Sequence, residues 1–169
     1  LKPLYSADDW IKKLQLTPHP EGGYYRETYR HPLLIQRSQL PAQYAGDRCL
    51  MTIIYFLLRG GQFSALHRLR SIESWHFYQG CPMILYFLDK TAAAQEVTLG
   101  PDIDTGQVLQ VVIPCDTWFG ARPADPQSYA LVGCIVSPGF DFADFELAKR
   151  RKLIEEFPQH RKWIESLTL

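Results

Sequence analysis

Short apolar or alternating segments, separated by glycine and proline, run through most of the chain. Residues 24–30 (YYRETYR) alternate, with Tyr24, Arg26 and Thr28 on one face and Tyr25, Glu27 and Tyr29 on the other. Residues 51–58 (MTIIYFLL) are continuously apolar and short enough for a buried strand. Further strands are expected near 63–69, 73–78, 83–88, 94–99, 107–113 and 129–136. Gly80, Pro82, Gly100, Pro101, Gly106, Pro114, Pro123, Pro126, Pro138 and Gly139 punctuate the joints. Closely spaced strands with such turns predict an all-β sandwich or barrel. A parallel α/β fold would need repeated helices of 10–15 residues, which the pattern lacks.

Helical periodicity is confined to the ends. Ser6 and Asp9 have the spacing of a capping box, and Trp10, Ile11 and Leu14 follow at helical spacing. The expected helix stops before Pro18, Pro20, Gly22 and Gly23. Residues 31–48 read as a polar, proline-interrupted connection. Residues 144–157 (DFELAKRRKLIEEF) have a helical period, with Phe145, Ala148, Ile154 and Phe157 as its buried positions and Pro158 as its stop. No repeat or linker divides the chain, so residues 1–169 are read as one domain.

Composition narrows the function. Lys plus Arg and Asp plus Glu both total 18, a net charge of zero. That balance gives no electrostatic basis for binding nucleic acid or an anionic membrane. The basic run at 149–152 is followed by Glu155 and Glu156 and reads as a solvated helix face. Cys49, Cys81, Cys115 and Cys134 have no C-x-x-C spacing and read as reduced thiols. No segment reaches membrane-spanning length, which leads to the expectation of a cytoplasmic protein.

The chemistry concentrates in residues 61–80 (GQFSALHRLRSIESWHFYQG), where Gly61, His67, Glu73 and Gly80 have the spacing G-x5-H-x-L-x3-E-x6-G. This resembles the first signature of the cupin superfamily, with Leu69 where the metal-binding members have a second histidine. Three further blocks, at 18–30 (PHPEGGYYRETYR), 118–123 (WFGARP) and 131–147 (LVGCIVSPGFDFADFEL), resemble a small cupin family of unknown function. The resemblance implies a jelly-roll barrel of double-stranded β-helix type with short terminal helices, assembled as a homodimer. It also implies a place near the metal-free dTDP-sugar epimerase branch.

The second cupin signature is eroded. Seven residues rather than five separate Gly106 from Pro114, Asp116 replaces a glycine, and Phe119 stands where the third metal histidine would be. The metal-binding members use three histidines and a glutamate. The matched set here is His67, Leu69, Glu73 and Phe119, so two donors remain, and neither a metal nor another cofactor is expected. His76 could serve as a replacement ligand only if strand parity broke. If Glu73 points inward, so do Trp75 and Phe77, while Ser74 and His76 point outward.

His67 and Glu73 are the candidate catalytic residues. The resemblance places His67 at the position of the epimerases' catalytic base, and an imidazole can remove a proton next to a carbonyl near neutral pH. Glu73 would be its partner, with Arg26, Arg68 and Arg70 as alternative partners for the carboxylate. Parity puts Arg68 and Arg70 opposite His67. The opposing acid would be a tyrosine, among Tyr24, Tyr55, Tyr78 and Tyr129. Tyr24, Arg26, Trp75, Phe77, Trp118, Phe119 and Tyr129 are the candidate ligand contacts.

Three readings follow for a small-molecule ligand that is sugar-like or nucleotide-linked. The chain is a metal-independent epimerase or isomerase, a non-catalytic binding cupin, or a cupin with a degenerate metal site on His67 and Glu73. The residues leave all three open.

Overall fold

The computed structural model describes residues 5–89 and 94–169. Helix α1 (Ala7–Leu14) leads into strands β1 (Thr17–Pro18), β2 (Tyr24–Arg30), β3 (Leu34–Ile35), β4 (Arg48–Cys49) and β5 (Thr52–Arg59). Then come β6 (Ser64–Leu69), β7 (Ile72–Gly80), β8 (Met83–Leu88) and β9 (Ala94–Leu99). Strands β10 (Gln110–Ile113), β11 (Trp118–Pro123), β12 (Tyr129–Ser137) and β13 (Phe145–Leu147) follow, and helices α2 (Arg150–Glu156) and α3 (Arg161–Ser166) end the chain.

Two sheets face each other, in the orders β1-β2-β5-β12-β7-β10 and β13-β6-β11-β8-β9, while β3 and β4 pair separately. The result is the expected jelly-roll barrel with short helices at its ends. Among the described residues no helix is long and apolar enough to cross a membrane.

The walls are buried inside the barrel and, beneath the terminal helices, on their outer faces as well. Inward residues such as Phe56, Leu58, Trp75, Val132 and Cys134 meet Met83, Leu85, Phe87 and Phe119 from the opposite sheet. Outside the larger sheet, Leu57, Tyr129 and Leu131 pack with Leu16 under α1, against Trp10, Ile11 and Leu14. Outside the smaller sheet, Leu66, Tyr86, Leu88 and Trp118 pack on Leu153, Phe157, Ile164 and Leu167 of the C-terminal segment. The terminal helices therefore cover apolar outer faces, and this explains why 51–58 is an unbroken apolar run rather than an alternating one.

The capping box forms as spaced. Asp9 N–H donates to Ser6 Oγ at 3.2 Å, and Ser6 N–H donates to Asp9 Oδ2 at 2.9 Å.

The tail departs from the expected helix. Residues 145–147 are a strand paired with β6, Phe145 opposite Leu69 and Leu147 opposite His67, and the helix starts only at Arg150. The free edge of β6 takes up backbone groups of this segment, so pairing overrides the helical period. Phe145 thereby turns to the barrel mouth instead of joining a helix face. Within 31–48, β3 and the first residue of β4 form a small separate ladder that the polar composition does not announce.

Candidate functional site: a buried acid–base cluster

A cavity of about 40 Å³ opens into the barrel, lined by His19, Glu21, Tyr25, Glu27, Thr52, Ile54, Phe56, His67, Leu69, Glu73, Trp75, Cys134, Val136, Phe140 and Phe145. His67 projects from β6, between β11 and β13, with Phe119 across one pair and Leu147 across the other. Its ring lies 4.1 Å from that of Phe119 and 5.3 Å from that of Phe145, centroid to centroid. Glu73 and Trp75 project from β7, two residues apart and therefore on one face.

Glu21 reaches the cavity from the turn between β1 and β2. Gly22 has φ 110, and a Cβ there would lie 2.3 Å from the Phe63 carbonyl oxygen, so only glycine lets the turn press this closely on β6. The Glu21 carbonyl then accepts from Ala65 N–H at 2.7 Å. The side chain enters the barrel, where Ser64 Oγ donates to Oε1 at 2.7 Å and Oε2 lies 3.2 Å from His67 Nε2. His19 Nδ1 lies 3.5 Å from the same Oε2.

The hydrogen bonds fix where the protons sit. His67 Nδ1 is 2.7 Å from the Ala65 carbonyl oxygen, which can only accept, so Nδ1 carries the hydrogen. In a neutral ring Nε2 is then bare. His19 Nδ1 accepts from Glu21 N–H at 3.3 Å, so it too is bare in a neutral ring. The Glu21 carboxyl is left to supply the one proton between two imidazole nitrogens.

Electrostatics point the same way. Burial pushes Glu21 from the usual 4.5 up to about 8, against the Ser64 hydrogen bond. Burial, with the charge of Glu21 second, pushes Glu73 up to about 8. Burial lowers His67 from 6.5 to about 4, partly opposed by its bond to Ala65, and lowers His19 to about 4 with a smaller push from His67. At pH 7 the cluster is two protonated acids and two neutral imidazoles.

The Trp75 indole is 1% exposed, and its Nε1 lies near enough to Glu73 to temper that shift while lacking a full hydrogen bond. It is a buried donor with unused capacity.

The mouth is aromatic and tied down. Phe140, Phe142 and Phe145 pack around His19, which stacks on Phe142 and meets Tyr25 edge-on at 4.6 Å. Arg30 holds Glu27 through two bonds, at 2.7 and 2.9 Å, and donates to the Phe140 carbonyl at 3.2 and 3.3 Å. Phe140 N–H donates to Thr52 Oγ1 at 3.0 Å.

The model of the cupin superfamily family DUF985 matches residues 8–148. The chain belongs to that family. A hypothetical protein from Leishmania major is 37% identical, covers 97% of this chain and 99% of its own, and superposes with a TM-score of 0.87. Protein SO0799 from Shewanella oneidensis is also 37% identical, covers 98% and 99%, and has a TM-score of 0.89. The uncharacterized protein YML079W of Saccharomyces cerevisiae is 26% identical over 159 residues, which are 88% of this chain and 78% of that protein.

This cupin does not fit the metal centre of its superfamily. Leu69 lines the cavity with no donor atom, and Phe119 packs in the core beside His67. Both His67 nitrogens already face protein acceptors or donors, Ala65 and Glu21. Among the described residues no group of three or more His, Cys, Asp or Glu side chains is arranged to hold a metal ion. His76 lies on the outer side of β7, as parity requires, with its Nε2 3.0 Å from Ser74 Oγ.

Several expected site residues lie elsewhere. His67, Glu73 and Trp75 line the cavity, but His67 pairs with Glu21 rather than Glu73. Phe77 and Phe119 face the interior as packing against the core. Tyr24 and Arg26 occupy the opposite face of β2 from the cavity residues Tyr25 and Glu27, because Tyr24 pairs with Leu57 under α1. Arg26 reaches Gln15 instead. Trp118 packs outward beneath Arg68, and Arg68 is paired with Glu146. Tyr129 is buried under α1, accepting from Trp10 Nε1 and donating to the Tyr5 carbonyl. Tyr55 and Tyr78 meet edge to face outside the barrel, so the tyrosine at the cavity is Tyr25. Glu21 and His19 are the main omission. The glycine pair after Glu21 is the signal that could have found them, since a tight turn is one way to drive a carboxyl into a barrel.

Proposed function

We propose that this cupin binds a small carbonyl-bearing metabolite in the barrel and moves a proton at the carbon beside the carbonyl, without a metal, as an isomerase or epimerase does. The observation that carries this reading is the 3.2 Å contact between Glu21 Oε2 and His67 Nε2, with the only proton of that contact on the acid. The pair is a two-position proton store. Glu21 passes its proton to His67 Nε2, where the imidazolium donates through Nδ1 to the Ala65 carbonyl. The carboxylate left behind takes the substrate's α-proton, the C–H electron pair forms the enol double bond, and the carbonyl oxygen takes the proton of Glu73. Glu21 then delivers that proton to the former carbonyl carbon while Glu73 takes the proton of the neighbouring hydroxyl, which completes the isomerisation, and His67 returns its proton to Glu21. Perturbed acids and bases packed at one cavity support such a role. The sequence resemblance implies a sugar-like or nucleotide-linked ligand, and a shorter hydroxy-carbonyl compound offers the same α-proton.

The test is deuterium uptake. Protein incubated in heavy water with a panel of carbonyl compounds should place deuterium at the α-carbon of its substrate, read by mass spectrometry. Glu21→Gln and His67→Gln should each slow uptake by about 10²–10⁴-fold. A compound that binds the cavity and never exchanges would make the protein a binding cupin instead.

A further inference from the structure

The cavity itself constrains the substrate. A volume of about 40 Å³ holds roughly three water molecules, which corresponds to about three to five non-hydrogen atoms. A hexose, with about twelve, exceeds such a space, and a nucleotide-linked sugar is larger still.

The lining also discriminates on charge. Among the described residues, no lysine or arginine lines the cavity. Arg30, which reaches the mouth through its bonds to Phe140, is committed to the Glu27 carboxylate and the Phe140 carbonyl. A carboxylate or phosphate would therefore lose its water with no cation to meet it, a large cost in a buried site.

What the interior offers is donors. The indole N–H of Trp75 lacks a full partner, and the Glu73 and Glu21 carboxyls are held protonated by burial. Around them stand Ile54, Phe56, Leu69 and Val136. An apolar box with an unused N–H and an acid O–H on one wall complements one oxygen acceptor.

We infer that the ligand is an uncharged carbonyl compound of about three to five non-hydrogen atoms, such as a short hydroxyaldehyde or hydroxyketone, with its oxygen on Trp75 Nε1 and Glu73. This rests on the proton-transfer reading for its chemistry and on cavity size and lining for its substrate class.

The test uses the intact protein with ¹⁵N-labelled tryptophan, observing the Trp75 indole resonance at pH 7. The probes are hydroxyacetone and glycolaldehyde, acetate as a charged ligand of like size, glucose, and a sugar nucleotide. The two small carbonyls should shift the resonance saturably, while the other three leave it in place. Trp75→Phe, which removes the reporter and is therefore compared with the parent by titration calorimetry, should weaken binding by about threefold to tenfold, the loss of one hydrogen bond. Should Trp75→Phe misfold, Val136→Ile, which adds a methyl group to the lining, should weaken binding instead by competing for the same space. Glucose, the sugar nucleotide or acetate binding as well as hydroxyacetone would overturn the inference, as would silence from both small carbonyls. Deuterium uptake in the same samples separates the two ideas. A small carbonyl that binds without exchange leaves the substrate class standing and removes the catalysis, whereas glucose that binds and exchanges does the reverse.

Discussion

Replacing Arg48 by alanine should cost about 3–5 kcal/mol of stability, the largest loss expected from any single change outside the core. Arg48 and Asp144 form a two-bond pair, Nε to Oδ2 at 2.6 Å and Nη2 to Oδ1 at 2.8 Å, with both side chains nearly sealed from solvent. The loss is large because Asp144 would remain buried without a partner. At about 2–4 °C per kcal/mol for a chain of this size, Tm should fall by about 6–20 °C. Asp144 directly precedes β13, so the pair also anchors the segment that places Phe145 over the cavity. The double variant Arg48→Met with Asp144→Leu should recover most of the loss, because it removes both charges and keeps the volume. A thermal midpoint for Arg48→Ala within about 2 °C of the parent would show that the pair does not anchor the mouth.

Stability should also decline between pH 6.5 and 8. Glu21 and Glu73 titrate in the folded chain at about 8, above their usual 4.5, so their contribution is complete below 4.5 and is lost as pH rises through 8. His19 and His67 titrate at about 4, below the usual 6.5, so theirs is complete above 6.5 and lost as pH falls through 4. From 4.5 to 6.5 the two acids and the two bases oppose each other. Above 6.5 only the acids remain, and two groups over that interval amount to about 2–4 kcal/mol. Glu73→Gln should roughly halve the decline, as should Glu21→Gln. Denaturant midpoints measured at pH 6.5 and pH 8 check this, and an equal decline in both variants and the parent would place its origin elsewhere.

How far the sequence reaches can be read from particular residues. The strands at 24–30 and 83–88 are legible because alternation or apolar runs end at turn residues on both sides. His67, Glu73 and Trp75 are legible because one signature and one parity rule set all three toward the interior. The face of β2 is not legible. Tyr24/Arg26 and Tyr25/Glu27 are equally plausible pairs by alternation, and the choice is made by α1, which covers the Tyr24 side from far away in sequence. Phe145 is hidden for a similar reason: residues 144–157 carry a helical period, and only the free edge of β6 turns 145–147 into a strand. Glu21 escapes notice because a lone acid in a turn is usually solvated, and its burial depends on the contact of Gly22 with the Phe63 carbonyl.

The most direct measurement of the central claim needs no ligand. Side-chain ¹⁵N and ¹³C spectra of His67, Glu21 and Glu73, assigned by single substitutions, report where each proton resides. At pH 7 His67 should be neutral with its hydrogen on Nδ1 and a bare Nε2, and the two glutamates should show protonated carboxyls that ionise near pH 8. An imidazolium at His67 beside an ionised Glu21 at that pH, or a hydrogen on Nε2, would contradict the proton store on which the proposed chemistry stands.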